Sequence, residues 1–268
     1  MKYWTTCKPG GGRRMRISKE HEFLLQAVKQ WFEREEQVVY YTNELTETLT
    51  AAERFLLDGL PGSGSVLDTG CGAGRISVEL SRQGYEVTGI DVSEAMIAIA
   101  RDYSERLGHQ IRYVQTNGVT LPLADEQFDC VLAFKILCYI PTKQLRCAYM
   151  KELYRVLKPG GLCVMTQHIV PDDCLEDTED EHFRSSPAAR FPILEKGDTF
   201  PSGIGYVHWF TENGLLHELE DTSFEIELFR TDAGHGGAGY LQLIRLRKKE
   251  QQQLGSERRH TDERTDDH

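Results

Sequence analysis

The stretch Val66-Leu67-Asp68-Thr69-Gly70-Cys71-Gly72-Ala73-Gly74-Arg75 decides the fold of this 268-residue chain. It starts with apolar residues fit for a buried parallel strand, and three alternating glycines follow. Ile76, Val78 and Leu80 then begin a helical pattern, so the sequence predicts a strand, a tight glycine turn and a helix. Glycine suits such a turn because it adopts positive φ and lets a ligand lie against bare backbone. The free N–H groups at the start of the helix favour a ligand with a carboxylate or other polar end.

A second predicted strand, from Tyr85 to Ile90, ends at Asp91. A carboxylate at that position can accept hydrogen bonds from both hydroxyls of a ribose. The glycine spacing is D-x-G-x-G-x-G, whereas a dinucleotide site requires G-x-G-x-x-G. The carboxylate of Asp68 would also repel a pyrophosphate, but it could favour a cationic ligand.

These residues resemble the class I S-adenosylmethionine-dependent methyltransferases in two motifs, Val66 to Arg75 and Gly89 to Ser93. Phe128 to Phe134 and Leu153 to Gly161 are similar to two further segments of that family, and the resemblance covers about residues 45 to 247. It implies an α/β fold with a Rossmann-like, doubly wound sheet of seven strands and helices on both faces. The sheet would be mostly parallel, with a C-terminal antiparallel hairpin.

The resemblance also implies a site for S-adenosylmethionine, with S-adenosylhomocysteine as the product. The glycine loop would hold the methionine part, with Asp68 favouring its ammonium and Arg75 approaching its carboxylate. Asp91 would hold the ribose hydroxyls, and Asn117 with Gly118 would read the adenine edge. Asn117 stands where the family carries an acidic residue, and an Asn-Gly pair is also a plain turn, so this role stays open. The expected cofactor residues are Asp68, Gly70, Cys71, Gly72, Arg75, Asp91, Val92, Met96, Asn117, Gly118 and Phe134.

The acceptor side of the site is predicted less sharply. Cys138-Tyr139 stands where many small-molecule members of the family carry two histidines, which puts histidine-based proton abstraction there in doubt. We therefore assign no catalytic residue, and name Tyr139, His168 and His208 as candidates for orienting or deprotonating an acceptor. Simple packing is an open alternative for the aromatic and histidine positions. The expected substrate pocket contains Tyr40, Tyr41, Lys135, Tyr139 and His208.

Composition divides the chain into an arm, one domain and a tail. Residues 1–17 form a basic arm that we expect to be flexible, and residues 248–268 are too poor in apolar side chains to fold alone. The acidic run 172–181 is either a solvated face or part of a mobile lid. The single methyltransferase domain, 18–247, would comprise an N-terminal cover of two helices (18–61), the cofactor-binding core (62–168), an irregular lid-like insertion (169–210) and a last helix and hairpin (211–247).

Charge and cysteine content limit the partners of this chain. The formal net charge of −11 disfavours nonspecific binding to nucleic acid. No apolar run is long enough to span a membrane, and the N-terminus lacks the apolar core of a secretory signal. Seven cysteines without a C-x-x-C pair indicate reduced thiols in a cytoplasmic protein and disfavour a metal site. The expectation is a cytoplasmic monomer or homodimer that acts on a small molecule.

The predicted function is methyl transfer from S-adenosylmethionine to a small-molecule acceptor. Phe134-Lys135-Ile136-Leu137 stands in place of an Asn-Pro-Pro-aromatic tetrapeptide, which disfavours exocyclic amines of adenine or glutamine as acceptors. An RNA methyltransferase acting on tRNA through the basic arm, and a non-catalytic S-adenosylmethionine-binding protein, are the alternatives. A nicotinamide-dependent oxidoreductase on a similar sheet is disfavoured by the glycine spacing and by Asp68.

Overall fold

The fold is known from a computed structural model that describes residues 17–116 and 118–250. Its helices are α1 (Lys19–Phe32), α2 (Glu35–Asn43), α3 (Ala51–Leu57), α4 (Arg75–Arg82), α5 (Glu94–Arg106), α6 (Thr142–Val156), α7 (Glu181–Ser185) and α8 (Glu212–Glu220). Its strands are β1 (Ser65–Thr69), β2 (Glu86–Asp91), β3 (Arg112–Gln115), β4 (Phe128–Phe134), β5 (Leu157–His168), β6 (Asp198–Thr199), β7 (Val207–His208), β8 (Glu225–Thr231) and β9 (Leu241–Arg247).

Seven of these strands form one sheet in the order β3-β2-β1-β4-β5-β9-β8. The first five are parallel, and Val66 of β1 lies between Val87 of β2 and Cys130 of β4. β9 runs antiparallel to both β5 and β8. This order confirms the predicted seven-stranded Rossmann-like sheet with its C-terminal antiparallel hairpin. β6 and β7 pair separately as a short hairpin that the sequence does not predict.

Both faces of the sheet are buried, as the continuous apolar runs in its strands require. Along β4, Val131 and Ala133 belong to one apolar core, which includes residues of α6 and α8. Cys130 and Leu132 belong to the second core, which includes residues of α3 and α4. The alternation along a strand thus places helices on both faces, and it leaves the carboxyl ends of the parallel strands at one edge of the sheet.

The N-terminal cover contains three helices where the sequence predicts two. α1 is capped by Ser18, and α3 begins at Thr50 with a capping box that involves Glu53. Between them the helix is interrupted near Arg34, and a separate helix, α2, follows. Tyr40 and Tyr41 lie within α2. No glycine or proline marks this interruption, and the helical pattern of the sequence continues across it without a stop signal.

The insertion at 169–210 contains α7, several single-turn helices and the β6–β7 hairpin. Phe200 and Tyr206 of this insertion form a core cluster with Leu24 and Val28 of α1. The insertion therefore packs against the N-terminal cover through an apolar contact. Whether it opens as a lid stays a prediction.

A buried guanidinium joins the insertion to two helices of the main domain. Arg146 of α6 is 1% exposed, and its Nη2 lies 2.6 Å from a carboxylate oxygen of Glu195 and 2.6 Å from one of Glu218. Its Nε donates a further hydrogen bond of 2.8 Å to Glu218 of α8. Because Glu195 belongs to the insertion, one cation holds three segments of the chain together.

The predicted start of the disordered tail, at residue 248, needs correction. The predicted disordered tail starts too early, because Lys248 is buried and its Nζ donates a 2.7 Å hydrogen bond to the carbonyl of Leu157. The basic arm up to residue 16 and the tail after residue 250 lie outside the described residues. Within the described residues, the cysteines at positions 71, 130, 138, 163 and 174 are free.

Within residues 17–116 and 118–250, the helices are all too short or too polar to cross a membrane.

Candidate functional site

A cavity of about 600 Å³ lies at the carboxyl ends of β1, β2 and β4. Open parallel α/β sheets bind their ligands at this edge, because the strand order reverses there and leaves a crevice. The floor of the cavity is the glycine loop between β1 and α4, and its other walls come from α1, α2 and the turn at 135–140. Residues predicted for a cofactor and residues of the N-terminal cover thus share one space.

The glycine loop is shaped by three positive φ angles, +64° at Gly70, +53° at Gly72 and +92° at Gly74. A Cβ at position 70 would overlap the side chain of Ile136, and one at position 74 would come within 2.8 Å of the Tyr113 hydroxyl. A Cβ at position 72 would meet nothing within 4 Å, because this residue faces the cavity. Gly70 and Gly74 therefore serve close packing, whereas Gly72 offers bare backbone to a ligand.

Asp91 is held at the cavity wall by two backbone N–H groups. Its Oδ2 accepts a hydrogen bond of 3.0 Å from Gly72, and its Oδ1 accepts one of 2.9 Å from Ser93. Burial raises the pKa of the Asp91 carboxyl, and these two hydrogen bonds oppose that rise. Each oxygen keeps lone pairs for a second donor, so the carboxylate is oriented to receive a pair of hydroxyls.

Asp68 lies behind the loop and does not line the cavity. It is 4% exposed, and the Ser77 hydroxyl donates a 2.6 Å hydrogen bond to its Oδ2. Burial raises the pKa of Asp68 to about 6, although the bond from Ser77 acts in the opposite direction. Its predicted contact with an ammonium group stays a prediction, since Asp68 is not one of the residues that line the cavity.

Arg75 lines the cavity, but its guanidinium already has an acidic partner. It donates hydrogen bonds of 2.5 and 3.1 Å to the two carboxylate oxygens of Glu53 on α3. Glu53 also accepts from the backbone N–H of Thr50 and is itself a lining residue that the sequence analysis missed. The signal for it was the Thr50-x-x-Glu53 capping box, whose acidic member points into the site as well as capping its helix.

Most of the predicted residues meet in this cavity. Asn117 lies outside the described residues. Tyr40 is 57% exposed and is not among the lining residues. The lining residues that the sequence predicts are Gly70, Cys71, Gly72, Arg75, Asp91, Val92, Met96, Gly118 and Phe134 for the cofactor, and Tyr41, Lys135 and Tyr139 for the substrate.

The two candidate histidines do not line the cavity. The Nδ1 of His208 is 2.7 Å from Oδ1 of Asp198, which also accepts a hydrogen bond from the Tyr206 hydroxyl. This buried contact holds the His208 side chain within the insertion, away from the cavity. His168 lies at the end of β5, where burial and the nearby Lys135 ammonium lower the pKa of its imidazole.

One face of α1 forms a wall that the sequence analysis missed. The helical pattern predicts an apolar face containing Leu24 and Val28, and both side chains pack against the insertion. Val28 also lines the cavity, beside a neighbouring face in which residues follow one another at spacings of three and four. This face mixes polar and apolar side chains, so its hydrophobic signal is weak. Its members are Glu22, Leu25, Gln26, Lys29 and Phe32.

A cluster of possible metal ligands lies away from the cavity. Ligand atoms of Glu195, His208 and Glu218 lie within 4.8 Å of one another. The guanidinium of Arg146 contacts both glutamates, and Asp198 contacts the histidine ring. A bound cation would have to compete with Arg146, so we assign this cluster a structural role.

Comparisons with known proteins agree with this architecture. Residues 66–161 match the model of a methyltransferase domain family. A sterol 24-C-methyltransferase of Eremothecium gossypii is 30% identical over 60% of this chain and 43% of its own length. A ubiquinone biosynthesis O-methyltransferase of Ruegeria pomeroyi is 37% identical over 36% of this chain and 38% of its own length. The chain thus spans less than half the length of either relative.

A solved structure covers more of the fold. The crystal structure of an S-adenosylmethionine-dependent methyltransferase from Methanosarcina mazei is similar over 74% of this chain and 98% of its own, with a TM-score of 0.58 and 29% identity. The sheet order, the glycine loop and these matches agree with one another. The protein thus has a class I S-adenosylmethionine-dependent methyltransferase fold, with a methyltransferase domain at residues 66–161, which confirms the resemblance inferred from its motifs.

Proposed function

We propose that this protein transfers a methyl group from S-adenosylmethionine to a small-molecule acceptor. The proposal rests on one continuous cavity of about 600 Å³, which is lined by the glycine loop and Asp91 on one side and by α1 and Tyr139 on the other. This volume is within the range of small-molecule sites, which is about 300–1,000 Å³. The names of the two relatives, one a sterol methyltransferase and one a methyltransferase of ubiquinone biosynthesis, support an acceptor of that size.

The residues of the cavity fit the methyl donor. The backbone of Gly72 is bare on the cavity side, which suits the close approach of an amino-acid chain. Asp91 is oriented for two hydroxyls, and the apolar side chains of Val92 and Met96 line the wall beside it, as an adenine ring requires. Bound S-adenosylmethionine would supply a methyl group already activated by its positively charged sulfur.

The chain's own contribution would be alignment of the acceptor and exclusion of water. Leu25 and Phe32 of α1 cover the cavity with apolar surface, and Tyr139 closes it from the opposite turn. Burial raises the pKa of the Tyr139 hydroxyl and raises that of the Cys138 thiol to about 11. Both groups are therefore protonated at neutral pH, and the Tyr139 hydroxyl, which lines the cavity, can donate a hydrogen bond but is not a base. Effective positioning alone can lower a barrier by several kcal/mol.

The direct test is release of S-adenosylhomocysteine by the purified protein in the presence of panels of phenols, amines, thiols and carboxylic acids, with tRNA as a separate arm. Turnover with at least one small molecule is expected. Asp91→Asn should lower that turnover, while Glu86→Gln, an exposed acid on the same strand, should leave it unchanged. Transfer to tRNA alone would contradict the small-molecule acceptor. Tight donor binding without transfer in any arm would contradict the catalytic role.

A further inference from the structure

Three aromatic rings converge on the acceptor side of the cavity. Phe32 of α1, Tyr41 of α2 and Tyr139 of the 136–140 turn all line it. The rings of Phe32 and Tyr139 are nearly perpendicular, at 85°, with centroids 4.8 Å apart. The ring of Tyr41 is tilted by 51° to that of Phe32, with centroids 6.0 Å apart. Three ring planes in different orientations thus form an aromatic corner, a name we use for these three residues.

The corner lies between the two halves of the site. Tyr41 is close enough to Asp91 and to Cys138 for both to affect its hydroxyl, and Cys138 adjoins Tyr139 in the turn at 136–140. Asp91 is the residue expected to hold the ribose, whereas Tyr139 belongs to the expected substrate pocket. A methyl group that passes from donor to acceptor would therefore cross the space beside the corner.

The charges around the corner favour a cation. Glu44 and Asp91 both raise the pKa of Tyr41, after burial, so this ring lies in a field of carboxylates. The carboxylate of Glu22 also lines the cavity. Two lysines also line the cavity. Lys29 pairs with Glu33 at 3.5 Å, and Lys135, whose side chain is exposed, lowers the pKa of His168 and of Cys138.

Aromatic faces carry negative electrostatic potential and attract cations within about 6 Å of the ring centroid. The attraction grows where a ring is shielded from water, and the rings of Phe32, Tyr41 and Tyr139 are all partly buried. We propose that the aromatic corner of Phe32, Tyr41 and Tyr139 binds an onium centre, either the sulfonium of the methyl donor or an ammonium group of the acceptor. The proposal rests on the proposed function, because it assigns this corner to the same cavity.

The first arm of the test compares a charged ligand with its neutral counterpart. Calorimetric titration measures the affinity for S-adenosylmethionine and for S-adenosylhomocysteine, which lacks the methyl group and the positive charge. Phe32→Leu keeps apolar volume and removes one ring. We expect it to weaken binding of S-adenosylmethionine about fivefold to tenfold and that of S-adenosylhomocysteine less than about twofold, as one cation–π contact of roughly 1 kcal/mol predicts.

The second arm tests an ammonium source. The protein saturated with S-adenosylhomocysteine is titrated with choline and with 3,3-dimethylbutan-1-ol, its uncharged isostere. Binding of choline but not of the alcohol, lost in Phe32→Leu, would assign the corner to an acceptor ammonium. A selective effect of Phe32→Leu in the first arm would assign it to the sulfonium, and either result supports the proposal.

Matched variants separate recognition of charge from folding. Phe23→Leu makes the same exchange on α1 outside the cavity, where Phe23 is 43% exposed and contacts Phe191, and it should change neither affinity. Tyr41→Phe keeps the ring and should keep the preference, whereas Tyr41→Leu should reduce it. Equal effects of the leucine variants on charged and neutral ligands in both arms would overturn the proposal. If the wild type bound neither adenosyl ligand, the proposed function itself would fail.

Discussion

The guanidinium of Arg75, in the first turn of α4, is held by the carboxylate of Glu53 on α3 through hydrogen bonds of 2.5 and 3.1 Å. The pair links the N-terminal cover to the helix that follows the glycine loop, and both side chains line the cavity. Burial acts to raise the pKa of Glu53, but the hydrogen bonds from Arg75 and Thr50 outweigh it and lower that pKa. The carboxylate is therefore charged at neutral pH, and the arginine is neutralised before any ligand arrives.

Glu53→Gln should destabilise the protein by about 2 kcal/mol, because it leaves a largely buried guanidinium without its counter-charge. Glu79→Gln is the matched control on α4, since Glu79 pairs with Arg82, which is 59% exposed. Exposed pairs of this kind contribute about 0–1 kcal/mol. The free energy of unfolding from urea titration measures both effects. Equal losses in the two variants would show that the Arg75–Glu53 pair has no special structural role.

Arg146→Met should be more damaging, at about 3–5 kcal/mol, because Glu195 and Glu218 would lose the cation they share. Lys143→Met is the control, since it removes a lysine of the same helix whose pair with Asp221 is 37% and 32% exposed. Adding Glu218→Gln to Arg146→Met should restore part of the lost stability by removing one uncompensated charge. If the double variant were less stable than Arg146→Met, the charge argument would be wrong. Urea denaturation followed by tryptophan fluorescence gives these values.

Gly70→Ala should cost more stability than Gly84→Ala, although both glycines have positive φ, +64° and +95°. A Cβ at position 84 would meet nothing within 4 Å, so its cost is the backbone strain of about 1–2 kcal/mol. At position 70 the Cβ would also overlap Ile136. We expect a further loss of at least about 1 kcal/mol in thermal or urea unfolding. A combined Gly70→Ala and Ile136→Val variant should recover some of it, and failure to do so would argue against the overlap.

Asp68 should make the stability of the protein fall as the pH rises. Its pKa is about 6 in the folded state and about 3.9 in an unfolded chain, so folding favours the protonated form. The contribution is complete below pH 4 and is lost as the pH passes 6, an effect of about 3 kcal/mol. The free energy of unfolding of Asp68→Asn, relative to wild type, should therefore rise by about 2–3 kcal/mol between pH 4 and pH 7. Asp58→Asn, which changes an exposed acid, should show no such rise.

The core of the fold could be predicted because the patterns that determine it are local in the sequence. The glycine loop and Asp91 each follow an apolar run, and the segment Phe128–Phe134, which resembles part of the family, forms β4. The strand order 3-2-1-4-5 with a reversed hairpin follows from the alternation of strands and helices in a family of known topology. These features depend on neighbours in sequence, which is why pattern reasoning finds them.

The structures of the N-terminal cover and of the insertion were harder to predict, because tertiary contacts determine them. The break between α1 and α2 has no glycine or proline, and the wall of α1 that faces the cavity is only partly apolar. His208 looked like a pocket residue, but the buried carboxylate of Asp198 holds it elsewhere. Glu53 is not predicted for the site, because its partner Arg75 lies 22 positions away in the sequence. Such pairings become visible only when the chain is folded.

Calorimetric titration would show whether the cavity beside Asp91 binds a methyl donor. Wild type, Asp91→Ala and the control Glu86→Ala would each be titrated with S-adenosylmethionine and, in parallel, with NADH. We expect wild type and Glu86→Ala to bind S-adenosylmethionine and not NADH. Asp91→Ala should bind S-adenosylmethionine at least about tenfold more weakly, since about 1.4 kcal/mol is lost with the ribose contact. Binding of NADH without binding of S-adenosylmethionine, or an Asp91→Ala variant with unchanged affinity for S-adenosylmethionine, would contradict this expectation.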